Sequence, residues 1–332
     1  MKILIIRFSS IGDIVLTTPI IRCLRKAYPE SQIHYLTKYN FRSSIANNPY
    51  INFYHLHKND INKTIAELKK EDFDYVIDLH HNFRSAIVKL RLGVKSYSFP
   101  KLNFEKWLLV KFKINRLPSI HIVDRFFQTV APLGVKNDGQ GLDFFIPDVD
   151  VVSPAIYGTQ FSSGYVALVL GGTFDTKKLP IQKVIQLCLQ ISHPIILLGG
   201  RAELESAEVI VKNLGHNKVY CAVNKLTIAQ SASLIKQANV VITNDTGMMH
   251  IAAAFKKRII SVWGNTLPEF GMTPYYGNKE LELQRSTMVE VRNLSCRPCS
   301  KLGYSSCPQK HFRCMNEISE STILDAVNLA KF

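Results

Sequence analysis

The stretch KILIIRFSSIGDIVLTTPIIRCL, residues 2–24, joins a short apolar run to a polar turn and a second apolar segment. The run from Ile3 to Ile6 is rich in β-branched residues and therefore predicts a buried strand. Gly12 permits a tight turn from strand to helix, and Asp13 stands where that helix would begin. In an open α/β sheet this turn lies at the carboxyl end of a strand, which is where such sheets bind ligands.

Two interpretations of this turn remain open. Ser10 or Asp13 could simply cap the helix, which is the commonest role of these residues at such a position. However, Pro19 would suit the first turn of a separate helix capped by Thr18. In that case the turn around Asp13 is shaped for something besides starting one long helix, and a ligand site is the functional alternative.

Short apolar runs alternate with helical patterns along the rest of the chain. The predicted strands are 3–6, 33–36, 53–56, 75–79, 166–170, 195–198, 219–223, 240–243 and 259–263. The predicted helices include 181–191, 202–214, 227–238 and a terminal helix at about 319–331. This alternation predicts an α/β protein whose parallel sheets carry helices on both faces.

The alternation stops between residues 134 and 164, which are rich in Gly, Pro, Asp and Ser. Such a segment is typical of a linker, and the chain of 332 residues is long enough for two domains. We therefore expect two Rossmann-like domains, 1–155 and 156–316, whose parallel sheets face a central cleft. Residues 317–332 form the terminal helix, and the sequence leaves its docking site open.

The formal net charge is +15, and residues 84–125 hold ten Lys or Arg against Glu105 and Asp124. A basic surface suits nucleic acid, an anionic membrane or a phosphorylated substrate, and charge alone does not choose among them. Within this stretch FEKWLLVKFK, residues 104–113, interleaves aromatic and basic side chains. It predicts either a segment that rests on anionic lipid or an ordinary helix with a solvated basic face.

The N-terminal apolar run stops at Arg7, which makes it too short for a signal peptide. No later segment approaches the roughly 20 apolar residues that span a bilayer. We therefore expect a soluble, cytoplasmic protein.

Four of the seven cysteines follow the pattern C-x2-C-x7-C-x6-C, as Cys296, Cys299, Cys307 and Cys314. Clustered thiols in a reducing compartment indicate either a structural metal such as zinc or a reduced, packed loop. The second pair is spaced widely for a zinc site, so both interpretations stay open.

Polar residues also follow the predicted strands of the second half. GGTFDTKKLP, residues 171–180, offers backbone N–H groups, the Thr173 hydroxyl and the ammonium groups of Lys177 and Lys178. These groups would suit a diphosphate, although lysines in a loop are commonly just solvated. Glu203 opens the next helix, where it could favour the helix dipole or accept hydrogen bonds from a ribose diol.

The densest cluster is NDTGMMHIAAA, residues 244–254. Here Asp245 and Thr246 would cap a helix, Gly247 would bring backbone close to a ligand, and His250 lies one turn further on. A lone histidine is usually structural, but this one shares a helix N-terminus with two polar caps and a glycine. Neither the G-x-G-x-x-G nor the P-loop pattern occurs at these turns, which argues against a standard dinucleotide fold and a P-loop NTPase.

Taken together, these motifs resemble the heptosyltransferases of lipopolysaccharide core assembly, glycosyltransferase family 9, which have the GT-B fold. The resemblance is carried in order by RFSSIGDIVLTTPIIRCLRKAYP, DYVIDLHHNFRSA, GGTFDTKKLP, LLGGRAE and TNDTGMMHIAAAFKKRIISVWG, and it covers essentially the whole chain. The stretch CRPCSKLGYSSCPQKHFRCM also looks like a segment that many members carry.

The resemblance implies inverting, metal-independent transfer of L-glycero-D-manno-heptose from an ADP-sugar donor, without a cofactor. It implies that Asp13 is the general base and that Lys177 steadies the donor phosphate. The implied donor-binding residues are Thr173, Glu203, Leu226, Asp245, Thr246, Gly247 and His250. The implied acceptor-binding residues are Ser10, Gly12, Arg84, His121 and Arg125.

The implied partners are a nucleotide sugar and a phosphorylated lipopolysaccharide acceptor, with the protein peripheral at the inner leaflet. Two alternatives remain: transfer of a different sugar to a cell-surface glycan, or a nucleic-acid-binding protein without catalysis. The second lacks a recognisable nucleic-acid module in the sequence.

Overall fold

A computed structural model describes residues 1–215 and 218–332, whose strands form two sheets with helices packed against them. The strands are β1 (Lys2–Ile6), β2 (Gln32–Lys38), β3 (Phe53–His57), β4 (Tyr75–Asp78), β5 (Lys95–Ser98), β6 (Val166–Val169), β7 (Ile195–Leu198), β8 (Val219–Cys221), β9 (Val240–Asn244), β10 (Arg258–Trp263) and β11 (Ser286–Glu290). The helices are α1 (Ile11–Val15), α2 (Thr18–Ala27), α3 (Ile61–Leu68), α4 (Phe83–Leu92), α5 (Asn103–Phe112), α6 (Ile122–Phe127), α7 (Ile181–Gln190), α8 (Leu204–Leu214), α9 (Ile228–Gln237), α10 (Gly247–Ala254), α11 (Lys279–Arg285), α12 (Arg313–Asn316) and α13 (Glu320–Asn328).

Both sheets are parallel, as the alternation of strands and helices predicts. The first has the order β3-β2-β1-β4-β5 and the second the order β11-β10-β9-β6-β7-β8. In the first sheet, Ile5 of β1 lies between Tyr35 of β2 and Ile77 of β4. Because all strands of a parallel sheet end at the same edge, the loops that follow them collect there. The predicted α/β fold class is confirmed.

The edge strands β5 and β11 escaped prediction from the sequence. Their sequences are KSYS and STMVE, and in β11 only Val289 is buried. Edge strands are half-covered and often polar, so they lack the continuous apolar run that marks a buried strand. Hydrogen bonding to a neighbouring strand, which the sequence does not show, defines them.

The opening stretch forms two helices rather than one. The short α1 ends at Val15, and α2 begins at Thr18 with Pro19 in its first turn. The N-cap of α2 is Thr17, one residue before the predicted cap, and its side chain bonds to the Ile14 carbonyl oxygen instead of capping.

A cluster of buried apolar side chains runs through both halves and includes Ile5 of β1 and Val241 of β9. Residues 134–164 contain short 3₁₀ turns and neither an α-helix nor a strand. The terminal helix α13 buries Ile323, Ala326 and Val327 in the core of the second half. The domain bounds 1–155 and 156–316 stay a prediction.

None of the helices within residues 1–215 and 218–332 is long and apolar enough to cross a membrane.

An ion-pair cluster joins α2 to residues 138–143, at the start of the segment 134–164. The Arg22 guanidinium is buried and donates to both carboxylate oxygens of Asp138 at 2.9 Å, to Asp143 and to the Gly141 carbonyl oxygen. The exposed Lys26 ammonium lies 2.7 Å from the same Asp138 carboxylate. The Asp138 carboxylate thus has a buried partner, Arg22, and an exposed partner, Lys26.

We predict that Arg22→Met lowers the free energy of unfolding by about 3–5 kcal/mol, because it leaves two largely buried carboxylates without their main partner. The matched variant Lys26→Met removes only the exposed partner of Asp138, so we expect a loss of at most about 1 kcal/mol. Urea titrations followed by circular dichroism measure both values. If both variants lost the same free energy of unfolding, Arg22 would not be the residue that holds α2 to this segment.

Candidate active site

The first turns of α1 and α10 touch, so strand ends from the two halves of the chain meet. A Cβ atom on Gly12 would lie 2.7 Å from His250 Cδ2, and one on Gly247 would lie 3.0 Å from the Gly12 nitrogen. Both distances are shorter than ordinary contacts, so glycine at each position is what allows the approach. The contact places Asp13 and the turn that contains Asp245 in one crevice.

Asp13 is the third residue of α1, and its carboxylate has partners on both oxygens. Oδ1 lies 2.6 Å from Arg7 Nη2, while Oδ2 accepts hydrogen bonds from the Ser10 hydroxyl at 2.7 Å and the Ser10 N–H at 3.2 Å. Burial raises the pKa of Asp13, but Arg7 and the Ser10 bonds outweigh it and hold the pKa below its usual range. Asp13 is therefore ionised at neutral pH, and its carboxylate also caps its own helix.

Arg7 is a site residue that the sequence analysis missed. Its Nε donates to the Ser9 carbonyl oxygen at 2.8 Å and its Nη1 donates to the Leu79 carbonyl oxygen. Two backbone carbonyl oxygens thus fix the orientation of the guanidinium, whose remaining nitrogen contacts Asp13. In the sequence Arg7 only marks the end of an apolar run, and nothing in its spacing indicates this pairing.

His250 is buried in the contact between α1 and α10. Its Nδ1 has no hydrogen-bond partner among the residues that the structure describes. Burial lowers the pKa of His250 to about 4, although the carboxylates of Asp245 and Asp13 oppose the shift. The imidazole is therefore neutral at pH 7, and its Nδ1 is a buried polar atom without a hydrogen-bond partner among the described residues.

Lys177 and Asp245 form an ion pair on the second-half side of the crevice. Lys177 Nζ lies 2.5 Å from Asp245 Oδ2, which also accepts a hydrogen bond from the Thr266 hydroxyl at 3.0 Å. The amide of neighbouring Asn265 is buried and has no partner within the described part of the chain. Asp245 thus binds Lys177 instead of capping α10, contrary to the sequence expectation.

Thr246 occupies the N-cap position of α10, but its side chain makes no capping hydrogen bond to the helix. Its hydroxyl instead lies 3.3 Å from the Thr243 hydroxyl. Neither Asp245 nor Thr246 therefore accepts a hydrogen bond from the first N–H groups of α10 through its side chain. A helix N-terminus without a side-chain cap keeps its partial positive charge available to an anion.

Glu203 is buried at the turn that precedes α8. Its Oε2 accepts the Gly200 N–H at 3.0 Å, and its Oε1 lies 3.0 Å from Lys178 Nζ. The carboxylate thus closes its own loop and anchors the lysine beside Lys177. Of the other two residues expected to bind donor, Thr173 is exposed and Leu226 is half-buried.

Several cations lie near Asp13 on the first-half side of the crevice. Arg125 is buried, donates to the Phe270 carbonyl oxygen at 3.1 Å, and keeps Nε and Nη1 without partners in the described residues. Burial and the charges of Arg125 and Lys301 lower the pKa of Lys106 to about 8. Burial and the charge of Arg7 also lower the pKa of Lys101. Cations so crowded favour an anionic ligand.

Only part of this cationic group was expected from the sequence. The basic stretch 84–125 pointed to the region and the family resemblance implied Arg125, whereas Lys101 and Lys106 were not among the expected site residues. Lys301 belongs to the cysteine-rich segment, and nothing in the sequence pattern indicates that it lies near the candidate site. Its place beside Lys106 follows from the meeting of the two halves.

His121 and Arg84 have contacts that fit less well with the expected grip on acceptor phosphates. His121 Nδ1 accepts the Val123 N–H at 3.2 Å, and Nε2 donates to the Thr273 carbonyl oxygen at 3.0 Å. Both ring nitrogens are therefore engaged, and the ring joins the two halves. Arg84 lies over the ring of Phe8, with its guanidinium carbon 5.5 Å from the ring centroid.

One group of side chains that could hold a metal ion lies away from the crevice in the described part of the chain. Among residues 1–215 and 218–332, His34, His55 and Glu71 bring three ligand atoms within 4.8 Å of one another. The imidazoles of this group are nearly coplanar, with nitrogens 2.9 Å apart and centroids 5.2 Å apart. The two nitrogens thus point at each other, which is the geometry of a hydrogen bond rather than of convergence on a metal.

The cysteines of the C-terminal segment are all free thiols. Burial and the nearby Cys296 raise the pKa of Cys299 to about 12, and Cys296 Sγ lies 3.8 Å from His311 Nε2. The other three cysteines of the segment influence the Cys299 thiol electrostatically, but among the described residues no three of their sulfur atoms lie within 4.8 Å of one another. Thiolate clusters are ligands that zinc accepts, so the expectation of a structural metal stays a prediction.

The sequence profile of the family described as "Glycosyltransferase family 9 (heptosyltransferase)" matches residues 61–301. The chain is 34% identical over 144 residues to lipooligosaccharide heptosyltransferase 2 of Campylobacter jejuni, a match that covers 42% of each protein. It is 23% identical over 303 residues to lipopolysaccharide heptosyltransferase 2 of Escherichia coli, covering 84% of this chain and 86% of that protein.

Solved structures share the fold. A glycosyl transferase of family 9 from Veillonella parvula superposes with a TM-score of 0.78 at 21% identity, covering 98% of this chain and 96% of that one. The Escherichia coli heptosyltransferase WaaC with ADP superposes with a TM-score of 0.69 at 18% identity, covering 99% of both chains. The two-sheet architecture is therefore that of the GT-B heptosyltransferases.

We predict that Gly247→Ala lowers the free energy of unfolding by about 1–3 kcal/mol, because the new methyl group meets α1 backbone that cannot move aside. Gly171→Ala is the matched control, since its nearest neighbour would lie 3.6 Å away at Glu203. Its change should stay within about 0.5 kcal/mol. Chemical denaturation of both variants measures the difference. An unchanged stability for Gly247→Ala would show that α1 and α10 do not pack this closely.

Proposed function

Because the chain belongs to glycosyltransferase family 9, the heptosyltransferase family, we propose that it transfers a heptose from an ADP-activated donor to the inner core of lipopolysaccharide. The observation that carries the proposal is the contact between the first turns of α1 and α10. It brings the Asp13 carboxylate to the crevice that also holds Asp245 and His250. Curated relatives named as lipopolysaccharide or lipooligosaccharide heptosyltransferases support the choice of sugar and acceptor.

The second half of the chain would bind the donor. The N-terminus of α10 carries partial positive charge, and the Lys177 ammonium adds a full one beside Asp245. Together they would stabilise the diphosphate as ADP departs, so the proposed reaction needs no metal. Glu203 and Leu226 would contact the ribose and the adenine, and the hydroxyl of Thr173 would reach the phosphates.

Asp13 would be the general base. As the acceptor oxygen bonds to the anomeric carbon, the bond to the donor phosphate breaks, ADP leaves with the electron pair, and the acceptor proton passes to Asp13. Attack from the face opposite the leaving group inverts the anomeric centre. Arg7 keeps the carboxylate ionised and lowers its basicity, so exclusion of water in a closed crevice would have to restore its strength.

The first half would bind the acceptor. Arg125 keeps two N–H groups without partners in the described residues, and Lys101 and Lys106 lie within electrostatic reach of Asp13. Such cations suit the phosphate groups of a lipopolysaccharide acceptor. We propose that the protein works in the cytoplasm, peripheral at the inner leaflet where such an acceptor is anchored.

We predict that Asp13→Asn lowers the turnover number by about 10²–10⁴-fold, because the amide keeps the shape of the carboxylate but accepts no proton. ADP affinity should stay nearly unchanged, since Asp13 contacts no donor group in this proposal. Release of ADP from ADP-heptose with a heptose-free core acceptor measures turnover, and calorimetry measures ADP binding. Asp148→Asn is the control, because Asp148 is exposed. Normal turnover by Asp13→Asn would remove Asp13 from the role of base.

We also predict that ADP raises the melting temperature more than UDP or GDP does at equal concentration. A ligand at 100 times its dissociation constant stabilises by about 2.7 kcal/mol, enough to separate the nucleotides by thermal shift. Lys177→Met should weaken the ADP shift, whereas Lys212→Met, at an exposed position on α8, should not. A larger shift with UDP or GDP would favour a family member that transfers a different sugar.

A further inference from the structure

Helix α5 (Asn103–Phe112) is covered by protein on one side only. Leu109 is its one fully buried residue, while Phe104, Trp107 and Phe112 are 63%, 50% and 55% exposed. The three rings touch one another, with centroids 5.9 Å apart for Phe104 and Trp107 and 5.2 Å apart for Trp107 and Phe112. A continuous aromatic patch of this kind on a surface helix indicates a binding surface.

Positive charge surrounds this aromatic patch. Lys111 lies on the helix, Arg116 follows it, and both are exposed, whereas Glu105 is the single acidic residue of α5. Lys113 fixes the end of the helix to the cysteine-rich segment by donating to the carbonyl oxygens of Cys296 and Pro298. The patch is therefore both anchored and complementary to an anionic surface.

The other face of α5 belongs to the crevice. Lys106 lies on the side of the helix away from the aromatic patch, and its charge interacts with Arg125 and Asp13. Lys101, just before the helix, also lies within electrostatic reach of Asp13. One short helix thus separates the candidate active site from an aromatic, cationic outer surface.

We propose that the outer face of α5 docks on an anionic phospholipid bilayer and so places the mouth of the crevice at the headgroups. Aromatic rings among basic side chains are the combination that seats a short helix in the interfacial layer of a membrane. An acidic protein could match the charge and the rings too, but the membrane is favoured because the crevice beside α5 would receive a lipid-anchored acceptor. This inference rests on the proposed function only for the lipid-anchored acceptor, and membrane binding can be measured without any turnover.

Trp107 provides a direct probe, because the other tryptophan, Trp263, is 1% exposed and packed in the core. Adding vesicles of phosphatidylglycerol and phosphatidylcholine to the full chain should shift tryptophan emission to shorter wavelength, and brominated lipid should quench it. The signal should be weaker with pure phosphatidylcholine and should fall as salt is added. The variant Trp107→Phe should abolish the spectral change while vesicles still sediment the protein.

The double variant Phe104→Ser, Phe112→Ser removes two rings and keeps the probe, and should weaken vesicle partitioning roughly tenfold or more. Its matched control is Val149→Ser with Ile156→Ser, at positions 90% and 70% exposed outside α5. An unchanged ADP-induced thermal shift shows that the double variant is folded. A third variant, Lys111→Gln with Arg116→Gln, should reduce binding to anionic vesicles and leave binding to neutral ones unchanged.

Three results would overturn the proposal: no Trp107 response to anionic vesicles, equal loss in the control variant, or a response to RNA or an acidic protein in place of lipid. The two proposals also fail separately. If the protein binds vesicles through α5 but transfers no heptose, the proposed function fails and the docking surface stands. If it glycosylates a soluble, lipid-free core but ignores vesicles, only the docking surface fails.

Discussion

The close approach of Gly12 and Gly247 is the constraint on which the candidate site depends. Each residue belongs to the first turn of a short helix that follows a strand, and each lacks the side chain that would hold the other helix away. Because both helices begin at the carboxyl ends of parallel strands, their contact places the ligand-binding edges of the two sheets against each other. A cluster of buried apolar side chains from both halves packs together in the core, so the contact between the two helices is supported by the packing of the whole fold.

The charges of the crevice are arranged around this contact. Each half contributes a carboxylate that is already paired with a cation, Asp13 with Arg7 and Asp245 with Lys177. Further cations are left over, among them Arg125 with two unbonded N–H groups in the described residues. Burial and the neighbouring cations together lower the pKa of Lys106, and an incoming anion would relieve the repulsion between those cations. The same physical argument supports a diphosphate on one side and a phosphorylated acceptor on the other.

Two residues that the family motifs would assign to ligand binding also make contacts that hold the fold together. His121 uses both ring nitrogens to join α6 to the second half, and Glu203 uses its carboxylate to close a turn and hold Lys178. These contacts exist because polar groups taken out of water must find partners, and the nearest partners are backbone groups. The cysteine-rich segment is likewise tied to the crevice, since Lys113 bonds to its backbone and Lys301 lies near Lys106.

The sequence by itself determined the parallel α/β architecture, since buried strands need apolar runs and the helices between them show their own period. It also indicated the strand-end clusters around Asp13, Lys177 and Asp245, because polar and glycine residues directly after a buried strand mark the ligand-binding edge. Only the tertiary structure decided which groups meet: Arg7 pairs with Asp13 and Thr266 bonds to Asp245, while Lys301 and Lys106 come close enough to repel each other. The tertiary structure also defines the edge strands β5 and β11, and it determines which face of α5 is buried and which is exposed. The reason is that such contacts join residues far apart in the chain, and their distances depend on how two sheets and their helices pack, which local spacing does not encode.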